Sequence, residues 1–113
     1  MEIYHNPRCS KSRQTLTLIQ EKGEEVEVIE YLKNPPTFED LKLILVKLDI
    51  SPIDLIRHKE EIWKINFKGK ELKDDEIIKA MINHPKLIER PIVINGIKAI
   101  IGRPPENVLK IID

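Results

Sequence analysis

The sequence contains a single cysteine, Cys9, and this side chain is the strongest candidate for covalent chemistry. It lies where a short strand-like run ends and a helical pattern begins. Backbone amides at the start of a helix have no partner within the helix, and the helix dipole favours negative charge there. An unperturbed thiol, with a pKa of about 8.5, is only slightly ionised at neutral pH. The position therefore predicts a stabilised, nucleophilic thiolate.

The residues around Cys9 also favour a functional role. A free cysteine is usually a small buried apolar residue, and that is the competing interpretation. The neighbours are instead polar or charged, which would line a core poorly: His5, Asn6, Arg8, Ser10, Lys11, Ser12 and Arg13. We expect the cations Arg8, Lys11 and Arg13 to lower the pKa of the thiol, and the helix-start amides to hold a tetrahedral oxyanion beside the sulfur.

Spacing excludes several other chemistries. Cys9 and Ser12 form a C-x-x-S pattern, so the dithiol chemistry of C-x-x-C is unavailable. Cys9 and Arg13 give C-x3-R, which differs from the C-x5-R loop of tyrosine phosphatases. The three histidines are too widely separated along the chain to predict a metal site: His5, His58 and His84. We expect neither a bound metal nor a bound cofactor.

Composition predicts one cytoplasmic domain over residues 1–113. Apolar residues make up 41% of the chain, and 19 basic residues balance 19 acidic ones. This balance gives no electrostatic footprint for nucleic acid or an anionic membrane. A lone free thiol is typical of a reducing compartment, and the segment 1–6 lacks the pattern of a signal peptide. No apolar run approaches the ~20 residues that span a bilayer.

The N-terminal third of the chain reads as a β-α-β unit. Glu2–His5 is strand-like, a helix is predicted from Ser10 to Gly23, and an apolar β-rich run follows over 26–32. A β-α-β unit of this length predicts two parallel strands joined by a crossover helix.

The middle of the chain, roughly 37–88, reads as a helical insertion. Thr37 and Asp40 form a capping-box pattern, and Ser51-Pro52 predicts a second helix start with serine as the cap. Ile62 and Trp63 are expected buried anchors, and an apolar stripe over 77–82 predicts a further helix.

The last part of the chain reads as a hairpin and a helix. Two apolar runs joined by Asn95-Gly96 predict a β-hairpin. A final helix would carry Val108, Leu109 and Ile112 on one face. The predicted fold class is therefore α/β, a thioredoxin-like mixed sheet of about four strands with a helical insertion.

Four segments resemble the glutaredoxin-dependent arsenate reductase family, and together they span nearly the whole chain. They are the run from Ile3 to Arg13 (IYHNPRCSKSR), Leu55–Arg57, the run from Leu87 to Ile94 (LIERPIVI), and the run from Ile101 to Pro104 (IGRP). The run from Ile3 to Arg13 is specific to the family. The run from Leu87 to Ile94, which we call the Arg-Pro strand, is shared with sister families, and the run from Ile101 to Pro104 helps to separate these families.

The resemblance implies a nucleophilic attack of Cys9 on arsenate, followed by attack of glutathione on the adduct and recovery of the thiol by glutaredoxin. It implies that Arg57, Arg90 and Arg103 bind the oxyanion, for which a guanidinium offers a planar, permanently charged fork. His5 and Asn6 match a polar pair before the catalytic loop, and Pro91 matches a cis-proline facing the cysteine. Supporting roles fall to Arg8, Ser10, Ser12 and Arg13, and a monomer is expected.

Two alternatives to this function remain open from the sequence. One is a related glutathione-dependent thiol reductase, because sister proteins share the loop from Asn6 to Cys9 (the Cys9 loop) and the Arg-Pro strand. The other is a redox transcription regulator that binds RNA polymerase. Such regulators typically carry a C-x-x-C switch, whereas Ser12 stands at the fourth position here. The segment from Gly102 to Pro104 favours an arsenate reductase over both of these alternatives.

Overall fold

The computed structural model describes residues 1–112. The chain forms two compact units, one made of Met1–Asn34 together with the chain from Arg90 onward, and the other of Pro35–Glu89. The second unit begins just before and ends just after the helical insertion that the sequence predicts. A single domain over residues 1–113 stays a prediction.

The first unit contains a mixed four-stranded sheet in the order β2-β1-β3-β4. Strand β1 runs parallel to β2 and antiparallel to β3, and β3 and β4 form an antiparallel hairpin. The strands are β1 Glu2–His5, β2 Glu27–Glu30, β3 Ile92–Asn95 and β4 Lys98–Ile101. The mixed sheet of about four strands is confirmed.

Helix α1, Ser10–Glu21, connects the two parallel strands of this unit. Its Ile19 packs in a buried cluster with residues from the sheet and from the last segment of the chain: Ile3, Val93, Val108 and Ile111. Each such side chain contributes roughly 1.5–3 kcal/mol when fully removed from water. This apolar cluster holds α1, and with it the Cys9 loop, against the sheet.

The last helix differs from its prediction. Pro105–Lys110 forms a 3₁₀ helix, and Leu109, expected on the buried face, is 41% exposed. A 3₁₀ helix repeats every three residues, so Val108 and Ile111 share the inward face instead.

The β3–β4 hairpin is confirmed, but its turn lies one residue later than predicted. Asn95 belongs to β3 and pairs with Lys98, so the two-residue loop is Gly96-Ile97. Gly96 has φ of +63°, a backbone conformation that suits glycine at the first loop position. The Asn95 side-chain amide donates instead to the Ile111 carbonyl at 2.6 Å.

The second unit is helical, as predicted. It contains α2 Phe38–Leu48, α3 Glu61–Asn66, α4 Asp74–Asn83 and two 3₁₀ turns, Pro52–Leu55 and Pro85–Leu87. Thr37 and Asp40 form the expected capping box at the start of α2. Ser51 makes no capping hydrogen bond, so its predicted role as a cap is wrong; the segment after it turns only once.

Trp63 anchors α3 within this unit, whereas Ile62, also expected as a buried anchor, is only half-buried. It is 6% exposed and stacks on Phe67 with ring centroids 5.4 Å apart. Helix α4 packs against α2 and against both 3₁₀ turns. Throughout residues 1–112, every helix is too short or too polar to cross a membrane.

Candidate active site

Cys9 occupies the N-cap position of α1, at the end of a loop held by local hydrogen bonds. Its amide donates to the Asn6 carbonyl at 3.0 Å, and its own carbonyl accepts from the Arg13 amide at 3.0 Å. The Arg8 amide donates to Asn6 Oδ1 at 3.0 Å, and Arg13 Nη1 donates to the Pro7 carbonyl at 2.9 Å. The thiol is partly buried, so its position is fixed while a reactant can still reach it.

The pKa of the Cys9 thiol is lowered below its ordinary value. Burial by itself would raise this pKa, but the Ser12 amide, the charge of Arg90, the Lys11 amide and a hydrogen bond from Arg103 outweigh it. Both amides belong to the first turn of α1, where N–H groups without a partner inside the helix stabilise negative charge. The structure thus supplies a more populated thiolate than an isolated cysteine has.

The cations that act on the sulfur are not those expected from proximity in sequence. Arg90 and Arg103, from the far end of the chain, lower the pKa of Cys9. The guanidinium of Arg13 donates to a loop carbonyl, and both Arg8 and Lys11 are exposed. The side-chain charges of Arg8, Lys11 and Arg13 are not among the causes of the lowered pKa of Cys9, so the expectation that these flanking cations stabilise the thiolate is corrected.

Strand register explains why the two distant arginines reach Cys9. Tyr4 near the end of β1 pairs with Ile92 at the start of β3, and Ile92 pairs with Ile101 at the end of β4. Residues that follow β1, precede β3 or follow β4 must therefore lie at one edge of the sheet. These are Cys9, Arg90 and Arg103.

Arg103 contacts the sulfur directly. Its Nη1 lies 3.6 Å from Cys9 Sγ and 3.4 Å from the Arg90 carbonyl oxygen. The Arg90–Pro91 and Arg103–Pro104 peptide bonds are both cis, the first as the resemblance implies. A thiolate with guanidinium groups on the same edge can hold a tetrahedral oxyanion and attack its central atom.

His5 and Ser12 form a buried polar pair behind the loop. His5 Nδ1 lies 2.6 Å from Ser12 Oγ, and the same oxygen accepts from the Asn6 amide at 3.0 Å. Burial lowers the pKa of His5, the charge of Glu30 raises it and that of Arg13 lowers it, with a net decrease. The neutral imidazole therefore holds the Ser12 side chain in place, and the Ser12 backbone amide helps to lower the pKa of Cys9.

Thr15 is a positioning residue that the sequence reasoning did not single out. It is fully buried, and its hydroxyl is shared between the Lys11 carbonyl at 2.8 Å and the Gly102 carbonyl at 3.2 Å. Gly102 in turn donates from its amide to the Pro91 carbonyl at 2.9 Å. This network ties α1 to the residue before Arg103. The available signal was that Ser12, Thr15 and Ile19 share one helix face.

Replacing Gly102 by alanine is expected to destabilise the protein and displace Arg103. The added Cβ would lie 2.6 Å from Thr15 Oγ1 and 2.9 Å from Pro91 Cγ, so neighbouring atoms must move. Overpacking of this kind costs about 1–3 kcal/mol, measurable by urea unfolding. Because Arg103 follows directly, the pKa of Cys9 should rise as well.

A double variant tests whether this clash is the cause. Adding Thr15→Ala to Gly102→Ala removes the nearest contacts of the new Cβ. The double variant should therefore be more stable than the sum of the two single changes in unfolding free energy predicts. Strict additivity of the two unfolding free energies would contradict the steric explanation.

Ser10 and Arg57, two further predicted site residues, belong to different units. Ser10 opens α1 and is exposed. Arg57 belongs to the second unit, where its Nη1 pairs with Glu60 Oε1 at 2.9 Å and donates to the Lys86 carbonyl at 3.4 Å. Its role toward an oxyanion stays a prediction. Among residues 1–112, His, Cys, Asp and Glu form no cluster of three that could hold a metal ion.

Comparison with known proteins places the chain in a family. The ArsC family matches residues 4–111. The uncharacterized protein YfgD of Escherichia coli K12 is 48% identical over 99% of this chain and 96% of its own length, and the arsenate reductase of Haemophilus influenzae is 47% identical over 97% of each. The solved arsenate reductase of Vibrio cholerae superposes with a TM-score of 0.93 at 46% identity, covering 99% of this chain and 98% of that one, which confirms the thioredoxin-like fold. The chain is a member of the ArsC family.

Proposed function

We propose that this protein reduces arsenate to arsenite through the thiolate of Cys9, with glutathione and glutaredoxin as the external reductants. The observation that carries the proposal is the position of Arg103 Nη1, 3.6 Å from a sulfur whose pKa is lowered. Arsenate is a multiply charged tetrahedral oxyanion, and guanidinium groups offset its repulsion from the thiolate. The names of ArsC relatives support arsenate as the substrate. On the resemblance alone, Arg57 is proposed as a third oxyanion ligand.

The first step of the proposed reaction forms a covalent adduct. The Cys9 thiolate attacks arsenic(V), a sulfur–arsenic bond forms, and one arsenate oxygen leaves as water after protonation. Negative charge moves from the sulfur onto the arsenate oxygens, where Arg90 and Arg103 can stabilise it. The lowered pKa of Cys9 keeps the attacking group ionised as pH falls toward neutrality, so this step should weaken only below the lowered pKa.

The second step transfers the two electrons. Glutathione thiolate attacks Cys9 Sγ, the sulfur–arsenic bond breaks, and its electron pair stays on arsenic, which leaves as arsenite. Glutaredoxin and a second glutathione then reduce the mixed disulfide on Cys9. Because the chain has one cysteine, it cannot form an internal disulfide, and the electrons must come from outside. We propose that the protein works in this way as a cytoplasmic monomer.

The proposal is tested by arsenite formation in a purified system. Protein, arsenate, glutathione and glutaredoxin together should produce arsenite, and omission of either glutathione or glutaredoxin should stop turnover after at most one equivalent. No arsenite from the complete mixture would overturn the proposal.

A glutathione-dependent thiol reductase of the same superfamily is the second candidate. It is supported by the partly buried, activated Cys9 thiol, which is chemically suited to attack a disulfide as well as an oxyanion. Intact-mass analysis of the protein mixed with arsenate alone separates the two. An arsenate reductase carries an arsenic-containing adduct on Cys9 before glutathione is added, whereas a thiol reductase forms no arsenic adduct.

A further inference from the structure

A second feature of the first unit lies beside the Cys9 loop. A cavity of about 250 Å³ opens where the paired strands β1 and β2 end, at His5 and Glu30. Ligands of sheets with parallel strands commonly bind outside the carboxyl ends of those strands. We name it the β1–β2 cavity, and its lining is His5, Asn6, Pro7, Arg8, Glu30, Leu32 and Lys33.

One wall of the β1–β2 cavity is the segment that leads to the reactive sulfur. Asn6, Pro7 and Arg8 line it, and Cys9 follows directly with its amide bonded to the Asn6 carbonyl at 3.0 Å. The Arg8 amide is held by Asn6 Oδ1 at 3.0 Å. A molecule in this cavity therefore contacts the three residues that directly precede Cys9 in the chain.

The charges of this cavity form a distinct pattern. It has two cations, Arg8 and Lys33, and one carboxylate, Glu30. Burial lowers the pKa of His5, so the imidazole adds no positive charge at neutral pH. Lys33 Nζ and Glu30 Oε1 are 3.7 Å apart with side chains 76% and 41% exposed, and an exposed pair of this kind is weak enough for ligand groups to replace it.

We propose that the β1–β2 cavity is the binding site for glutathione. At neutral pH glutathione carries two carboxylates and one ammonium group, which complement Arg8, Lys33 and Glu30 in number and sign. Pro7 and Leu32 offer apolar contact to the peptide stem. This inference rests on the proposed use of glutathione and adds where it binds and which charges select it.

A second cavity of this unit, which also adjoins the Cys9 loop, fits glutathione less well. It has a volume of about 570 Å³ and is lined by Ser10, Arg13, Gln14, Thr17, Leu18, Pro105 and Glu106. Its one arginine already donates to the Pro7 carbonyl, and Glu106 cancels its charge. This second cavity therefore offers no net attraction to an anionic tripeptide.

Disulfide exchange on Cys9 tests the β1–β2 cavity without arsenate. The Cys9 thiolate attacks oxidised glutathione, the disulfide bond breaks, a mixed disulfide forms on Cys9 and glutathione thiolate leaves, so no other oxidant is needed. Intact mass follows the rate. The uncharged bis(2-hydroxyethyl) disulfide serves as the reference reagent, because any change in thiolate population alters both rates equally.

Reversing one cation of the cavity should reduce selectivity for glutathione. In Lys33→Glu we expect the rate with oxidised glutathione to fall about fivefold while the rate with the uncharged disulfide is unchanged. Lys98→Glu makes the same charge change on an exposed residue at the start of β4, outside the cavity lining, and should leave the ratio of the two rates close to wild type. Equal ratios in all three proteins would overturn the proposal.

Glu30→Gln separates a shaped site from general attraction of anions. If Glu30 holds the ammonium group, this variant should react more slowly with oxidised glutathione, yet faster with 3,3′-dithiodipropionate, which is anionic and has no ammonium. Faster reaction with both would overturn the proposal, since only net charge would then matter. If the wild-type protein fails to reduce arsenate but shows the expected selectivity for oxidised glutathione, the proposed function is contradicted while the glutathione site is supported.

Discussion

Replacing Cys9 by serine is expected to abolish arsenite formation, lowering the rate by at least about a thousandfold. A serine hydroxyl is scarcely ionised at neutral pH, and serine can form neither the sulfur–arsenic bond nor the mixed disulfide. The chain has no second cysteine to replace it. The rate is measured as arsenite produced with saturating glutathione and glutaredoxin, and the adduct by intact mass.

Thr17→Ala is the matched control for this substitution. Thr17 is an exposed residue of α1, so its loss should leave arsenite formation near wild type. Residual activity in Cys9→Ser above about a hundredth of wild type, in protein free of contaminating reductase, would show that the sulfur is not the nucleophile.

Replacing Arg103 by alanine is expected to give the second largest effect, a fall of about a hundredfold in kcat/KM for arsenate. The substitution removes the hydrogen bond to Cys9 Sγ at 3.6 Å and one of the two guanidinium groups that lower its pKa. The thiol pKa should therefore rise, and the pH below which activity is lost should rise with it. Steady-state kinetics across pH measures both effects.

Arg103→Lys keeps the positive charge but not the planar guanidinium, so this variant should retain most of the lowering of the Cys9 pKa but only part of kcat/KM. Lys98→Ala, which removes an exposed cation of β4 away from the sulfur, is the control and should have no effect. Wild-type kinetics in Arg103→Ala would remove the electrostatic basis of the proposed mechanism.

Local sequence signals predicted most elements of the fold. Ser10 begins a helix, Thr37 and Asp40 form their capping box, and Gly96 lies in the hairpin, because each feature depends on residues a few positions apart. The hairpin loop was misplaced by one residue because Asn95 can serve either as a turn residue or as a strand end. An α-helical repeat places Leu109 in the core, whereas the chain forms a 3₁₀ helix there and leaves this residue exposed.

The site was harder to predict than the fold, because strand register brings its parts together. The position of Cys9 at a helix start was evident from the sequence, but Arg90 and Arg103 are far from it along the chain, and only a resemblance pointed to them. Sequence proximity instead favoured Arg13, whose guanidinium bonds to the loop carbonyl of Pro7. Thr15 was missed because a threonine on a helix is usually exposed, whereas this one is fully buried under Gly102.

Titration of the Cys9 thiolate by its ultraviolet absorbance, with and without arsenate or sulfate, tests the central claim most directly. We expect the Cys9 thiol of the free protein to have a pKa below the ordinary range of a cysteine. A bound oxyanion should raise this pKa, because it neutralises the charges of Arg90 and Arg103. A pKa of about 8.5, unmoved by either oxyanion, would contradict the account.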